Sequence, residues 1–80
     1  MSKCDIGLVG LAVMGRNLVL NMADHGFQVA VFNRTTEKTR KFMDQSVGDR
    51  DIRAGYKVTD FLALLRRPRA VLISVPAGDP

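Results

Sequence analysis

GLVGLAVMGRN, residues Gly7–Asn17, sets small residues at positions 10, 12 and 15 between two differently patterned stretches. Before it, Cys4 to Val9 (CDIGLV) is mostly apolar, as a strand covered on both faces is. After it, from about Met14 to His25, the pattern becomes helical. Met14, Leu18 and Met22 form the expected apolar stripe, with Asn17, Asn21 and Asp24 as polar positions. His25 falls in the last turn, where the helix dipole favours a cation, and Gly26 supplies a left-handed cap. A strand, a glycine turn and a helix in that order build an anion site from backbone N–H groups. The pattern is G-x-G-x-x-G with one change. Gly10 permits the tight turn, Gly15 lets the helix approach the strand, and Ala12 stands in the second slot, where a ligand's pyrophosphate nears the backbone. One methyl group is tolerated there if the phosphate stands off slightly or the backbone keeps a negative φ, because the N–H groups remain.

The remaining chain continues the alternation. Gln28 to Phe32 (QVAVF) reads as a second strand, closed by Asn33-Arg34-Thr35-Thr36. Thr35 or Thr36 caps a second helix to about Gln45, with Phe42 and Met43 as its apolar contacts. A polar loop runs from Ser46 to Asp51, and an extended piece is expected between Ile52 and Lys57. Thr59 then caps a third helix, Asp60 to Arg67, with Phe61, Leu62, Leu64 and Leu65 as core candidates and Pro68 as its stop. Ala70 to Val75 is the last strand, followed by a loop from Pro76 to Pro80. Such alternation predicts βαβ units: an α/β fold with a Rossmann-like parallel sheet in the order 3-2-1-4 and flanking helices. The first two helices share one face and the third alone covers the other, so part of the second face is expected to be bare. Residues 1–80 therefore read as an incomplete piece of a doubly wound domain, or as a domain that needs a partner.

Composition limits the partners. Eighty residues make one small domain, which buries only about 60% of its unfolded surface. An isolated chain of this kind is expected to melt with little cooperativity. The 46% apolar share is that of a globular chain. The apolar runs are too short to span a membrane, and Asp5 and Gly7 interrupt any secretory signal. Cys4, the single cysteine, excludes an internal disulfide and suits a cytoplasmic setting; at the head of an apolar strand it reads as structural. The net charge of +4 comes from three basic stretches, Arg34–Lys41, Arg50–Lys57 and Arg66–Arg69. They lack the run of interleaved aromatic residues that stacks on single-stranded nucleic acid, so a small anionic ligand fits better.

The end of the second strand selects among dinucleotides. Enzymes that use NAD usually place Asp or Glu there to hold the ribose 2′-hydroxyl. Here Asn33, Arg34 and Thr35 occupy the place. Arg34 can pair with a 2′-phosphate through charge-assisted hydrogen bonds worth roughly 1.5–3 kcal/mol. Thr35 offers a hydroxyl and Asn33 a neutral contact to the ribose, although the same residues also suit a plain turn and helix cap. The expected cofactor is NADP rather than NAD. Val75-Pro76-Ala77 follows the fourth strand at the topological switch point, either as a wall of the nicotinamide side or as an ordinary strand-ending loop.

GLAVMGRNLVLNMADHGFQVAVFNRT, together with LRRPRAVLISVPAG, resembles the start of the 6-phosphogluconate dehydrogenase family. The resemblance covers essentially all 80 residues and is weakest between Ser46 and Lys57. It implies an NADP-dependent, decarboxylating oxidoreductase of the pentose phosphate pathway, and that residues 1–80 are the N-terminal part of its NADP-binding domain. It further implies that Gly10, Leu11, Ala12, Val13, Met14 and Gly15 form the pyrophosphate loop. Asn33, Arg34 and Thr35 would hold the 2′-phosphate, and Val75, Pro76 and Ala77 would border the cofactor. Pro76 stands where the family usually has lysine, which removes a charge and an N–H. The family's catalytic lysine and glutamate, its 6-phosphogluconate-binding groups and its helical homodimer domain lie beyond residue 80. No residue here is assigned catalysis or a metal, no nucleic acid or membrane partner is expected, and Lys38, Lys41 and Lys57 are read as surface or phosphate-side lysines. Two alternatives stand beside this reading. One is a 3-hydroxyisobutyrate-type dehydrogenase, against which Ala12 and the Arg-Pro-Arg before the last strand argue. The other is a non-catalytic nucleotide-binding module or truncated product.

Overall fold

A computed structural model describes residues 3–74. Four strands, β1 (Ile6–Val9), β2 (Val29–Phe32), β3 (Ile52–Ala54) and β4 (Val71–Ile73), alternate with α1 (Val13–Asp24), α2 (Thr36–Gln45) and α3 (Val58–Leu64). All strand pairs are parallel and the order is β3-β2-β1-β4. The register runs Leu8 to Val31 on one side and Leu8 to Leu72 on the other. The expected Rossmann-like order is therefore present, with β1 central.

Period-two alternation divides the strand residues between two cores. Leu8, Val29, Val31 and Ile52 point to one face, where Val19 of α1 and Phe42 of α2 close over them. Ala30 points to the other face, where Phe61 and Leu65 cover it and Cys4 joins them. The rings of Phe32 and Phe61 meet at 5.9 Å. Around β4 both faces are open: Val71 and Ile73, on the second face, are 39% and 74% exposed, and Leu72, beside Leu8 on the first face, is 42% exposed. The bare area expected on the second face is present at Val71 and Ile73, and Leu72 adds an open strip on the first face that the helix count does not predict.

Several local expectations are corrected. The inward stripe of α1 is Gly15 and Val19, with Met22 and Ala23 partly buried; Met14 and Leu18 are exposed. Gly15 must face the sheet because the helix touches it there, and that rotation turns Met14 outward. The third helix occupies 58–64 rather than 60–67, and Lys57, not Thr59, is its N-cap residue. Leu65 leaves the helix in an extended conformation to bridge Cys4, which ends the helix before Pro68 is reached. Leu62 and Leu64 pack only partly, while Phe61 and Leu65 are buried. Thr35 does stand at the N-cap of α2, but its side chain makes no capping bond. Strand β4 covers 71–73 of the expected 70–75; Val75 and the loop from Pro76 to Pro80 lie outside the described residues.

His25 ends α1 as expected: its Nδ1 lies 2.7 Å from the Asn21 carbonyl, and Gly26 takes a φ of 92°. Much of the basic charge is used structurally. Arg50 pairs with Asp24 at 2.7 Å, Arg53 with Asp51 at 3.2 Å, and Arg66 with Asp5 at 3.1 Å. Arg40 lies 5.9 Å from the ring centre of Tyr56, the one aromatic residue inside the second basic stretch. Because Arg50 also donates to the carbonyls of Ser46 and Val47, Arg50→Ala is expected to lower the urea midpoint modestly. An exposed pair of this kind is worth only about 0.2–1 kcal/mol. Burial pushes the Cys4 thiol above its ordinary pKa. A thiol-specific reagent is accordingly expected to leave Cys4 unmodified at neutral pH until denaturant opens the second core.

Candidate dinucleotide-binding site

The carboxyl ends of β1, β2 and β4 meet around the glycine turn. Gly10 donates its N–H to the Phe32 carbonyl at 2.9 Å, and Ser74 donates to the Val9 carbonyl at 2.8 Å. Gly10 has a φ of 103°, and a Cβ built there would run into the Ser74 carbonyl oxygen. Only glycine fits this turn without strain. Gly15 serves a different purpose. Its missing side chain lets α1 sit against the turn, since a Cβ would collide with the Gly10 carbonyl oxygen and crowd Leu8.

Ala12 keeps an extended backbone, φ −72° and ψ 179°, so its methyl group costs no strain. It is also the N-cap residue of α1, and no side chain caps the helix. The first N–H to bond back is that of Arg16, to the Ala12 carbonyl at 2.9 Å. The N–H groups of Val13, Met14 and Gly15 thus lack an intrahelical acceptor, at the positive end of a 12-residue helix. The side chains of Val13 and Met14 project into solvent, 64% and 68% exposed, so they leave those N–H groups approachable.

Leu11 stands apart within the loop. Its side chain is buried in the first core, and its N–H already donates to Asn33 Oδ1 at 2.8 Å. The Asn33 carboxamide also donates from Nδ2 to the Thr35 carbonyl at 3.3 Å. Sequence spacing carries no sign of this contact, because 22 residues separate the partners. It arises only when β1 and β2 pair in parallel and bring their ends together. Arg34 and Thr35 are exposed beside it, and Arg34 makes no hydrogen bond or ion pair among the described residues. Residues 10–15 and 33–35 are thereby joined at one end of the sheet. Val75, Pro76 and Ala77, expected as the third part of the site, lie outside the described residues.

A groove of about 360 Å³ runs between the first turn of α1 and α2. Leu11 and Phe42 line its buried side, and Arg16, Lys38 and Lys41 add positive charge. Arg16 was not singled out by the glycine pattern. Its Nε is buried and has no hydrogen-bond partner among the described residues. Two lysines read as surface or phosphate-side residues therefore share a cleft with the turn. No cluster of potential metal ligands occurs among the described residues, and none of their helices is long and apolar enough to cross a membrane.

A parallel sheet with a glycine turn into a helix at its central strand defines a dinucleotide-binding domain of the Rossmann type. The sequence model of the family described as the NAD binding domain of 6-phosphogluconate dehydrogenase matches residues 5–80, and the chain belongs to that family. It is 51% identical over 80 residues to the decarboxylating 6-phosphogluconate dehydrogenase of Synechocystis sp., covering 100% of this chain and 17% of that relative. It is 44% identical to the Candida albicans enzyme of the same name, covering 100% of this chain and 16% of the relative. Among solved structures, Plasmodium falciparum 6-phosphogluconate dehydrogenase superposes with a TM-score of 0.80 at 41% identity, over 94% of this chain and 16% of that one. That enzyme was studied in its apo form, with its cofactor NADP+ and with its substrate 6-phosphogluconate. The chain thus spans about one sixth of the length of these relatives.

Proposed function

We propose that this chain is the NADP-gripping portion of an enzyme that oxidatively decarboxylates 6-phosphogluconate to ribulose 5-phosphate, acting as a cytoplasmic homodimer. The observation that carries the reading is the exposed guanidinium of Arg34, without a partner among the described residues and one residue beyond the carboxamide that ties the end of β2 to the glycine turn. The N–H groups of residues 12–15 would receive the pyrophosphate, and Arg34 and Thr35 the 2′-phosphate. Asn33 would stand at the ribose, and residues 75–77 would border the nicotinamide half. Bound NADP would supply the hydride acceptor. This chain's part is to hold and orient it, and no catalytic group is assigned to it.

The relatives' shared name and the NADP+ complex of the Plasmodium falciparum enzyme support this assignment. The absence of Asp or Glu at positions 33–35 supports NADP over NAD, because a carboxylate there would repel the 2′-phosphate. Calorimetric titration of the chain with each cofactor tests the preference. NADP is expected to bind about 10- to 100-fold more tightly than NAD, the equivalent of one charge-assisted phosphate contact. Equal affinities would remove the basis for the reading.

A further inference from the structure

We infer that Asn33 is a positioning residue: its carboxamide clips the glycine turn to the end of β2 and so fixes the geometry in which both phosphate sites are presented. The inference rests on the cofactor reading above and changes the part Asn33 plays in it. The carboxamide uses both ends within the protein. Oδ1 accepts from Leu11 N–H at 2.8 Å, and Nδ2 donates to the Thr35 carbonyl at 3.3 Å. One side chain thus holds the residue after Gly10 and the residue after Arg34.

Leu11 is held at two points, since its side chain is 3% exposed in the first core. With the N–H committed to Asn33, Leu11 anchors the turn and leaves the pyrophosphate to the N–H groups of residues 12–15. The neighbouring bond from Gly10 N–H to the Phe32 carbonyl extends the β1–β2 pairing by one step. The Asn33 contact adds a further step where β-pairing has ended and a side chain must supply the acceptor. A ligand to the ribose alone would need neither bond.

Three side chains at this position separate a clip from a direct ligand. Alanine removes acceptor and donor. Aspartate keeps an acceptor for Leu11 N–H but places a negative charge beside the 2′-phosphate. Asn33→Ala is therefore expected to weaken NADP and NAD together, each by about 3- to 10-fold, with their ratio unchanged. Asn33→Asp, which keeps the bond to Leu11 but loses the one to Thr35, is expected to weaken NAD less than Asn33→Ala does and to lose the preference for NADP. Amide hydrogen exchange read by NMR without any ligand supplies a second measure. The Leu11 amide should be protected in the unaltered chain and in Asn33→Asp, and should exchange at least about 10-fold faster in Asn33→Ala.

A fall in NADP affinity alone for Asn33→Ala would make Asn33 a direct 2′-phosphate ligand and overturn the clip. Unchanged Leu11 protection in Asn33→Ala would overturn it as well. If Asn33→Ala unfolds the chain, Asn33→Asp decides: protection kept at Leu11 supports the clip, and protection lost overturns it. Failure of the unaltered chain to bind either cofactor would overturn the NADP assignment instead, and the Leu11 exchange rates would still judge the clip.

Discussion

Arg34→Ala is expected to weaken NADP binding by about 10- to 100-fold and to leave NAD binding unchanged, which abolishes the preference between them. The side chain is exposed and has no partner among the described residues, so its removal leaves no buried group unsatisfied. It contributes nothing to either core, and the melting temperature should not move. The whole effect should therefore appear in the difference between two cofactors that differ by one phosphate. Arg34→Lys should recover only part of the loss, because an ammonium keeps the charge but not the planar two-point geometry. Raising the ionic strength should narrow the preference of the unaltered chain, since the contact is exposed to solvent. Equal losses for NAD and NADP in Arg34→Ala would place the guanidinium elsewhere on the cofactor.

Gly10→Ala is expected to be the most destabilising single methyl addition in the turn. Two costs coincide there. A φ of 103° strains any L-residue, at about 1–3 kcal/mol, and the added carbon meets the backbone carbonyl of Ser74, a residue tied to Val9 through its own N–H. Gly26 provides the comparison. Its φ is similar at 92°, but a Cβ there has nothing within 4 Å. Gly26→Ala should therefore show the strain alone, and Gly10→Ala the strain plus the collision. Amide hydrogen exchange in β1 and β4, which needs no cooperative melt, separates the two: exchange should quicken there more in Gly10→Ala than in Gly26→Ala. Equal changes would mean that the end of β4 yields freely. Gly10→Ala should also weaken cofactor binding, because the clash pushes apart the strand ends that carry the site.

The sheet order was legible because each strand and helix has its own hydrophobic period and its own punctuation. Gly26 and His25 mark the end of α1, and the residues that close β2 also open α2. The face assignments followed from right-handed crossovers, and the open second face at β4 followed from the helix count, whereas the exposure of Leu72 on the first face did not. The rotation of α1 was less legible. Met14, Leu18 and Met22 make a plausible stripe, but the demand that Gly15 touch the turn outweighs side-chain hydrophobicity and exposes Met14. The end of α3 was misplaced for a related reason. Leu65 keeps an apolar helical spacing, yet its pairing with Cys4 draws it into an extended conformation.

Within the site, the glycines and Arg34 were visible because each answers a requirement of one residue: a positive φ, a close approach, a free cation. The bond between Asn33 and Leu11 and the buried Nε of Arg16 were not visible. They depend on which distant segments the parallel pairing brings together, and no local pattern encodes that. Ala12 sits between the two cases. A negative φ is one of the two ways of accepting it in the second slot, and the backbone takes that way while making Ala12 the N-cap residue of α1.

The central claim is that the backbone N–H groups of the turn and the end of β2 hold one dinucleotide. Its most direct test is an NMR titration of the 15N-labelled chain with NADP, following every backbone amide. The predicted result is a saturable set of shift changes concentrated in Ala12–Gly15 and Arg34–Thr35, with NAD perturbing the turn but not Arg34 and Thr35. Saturable shifts confined to other surfaces, with these amides unmoved, would contradict it.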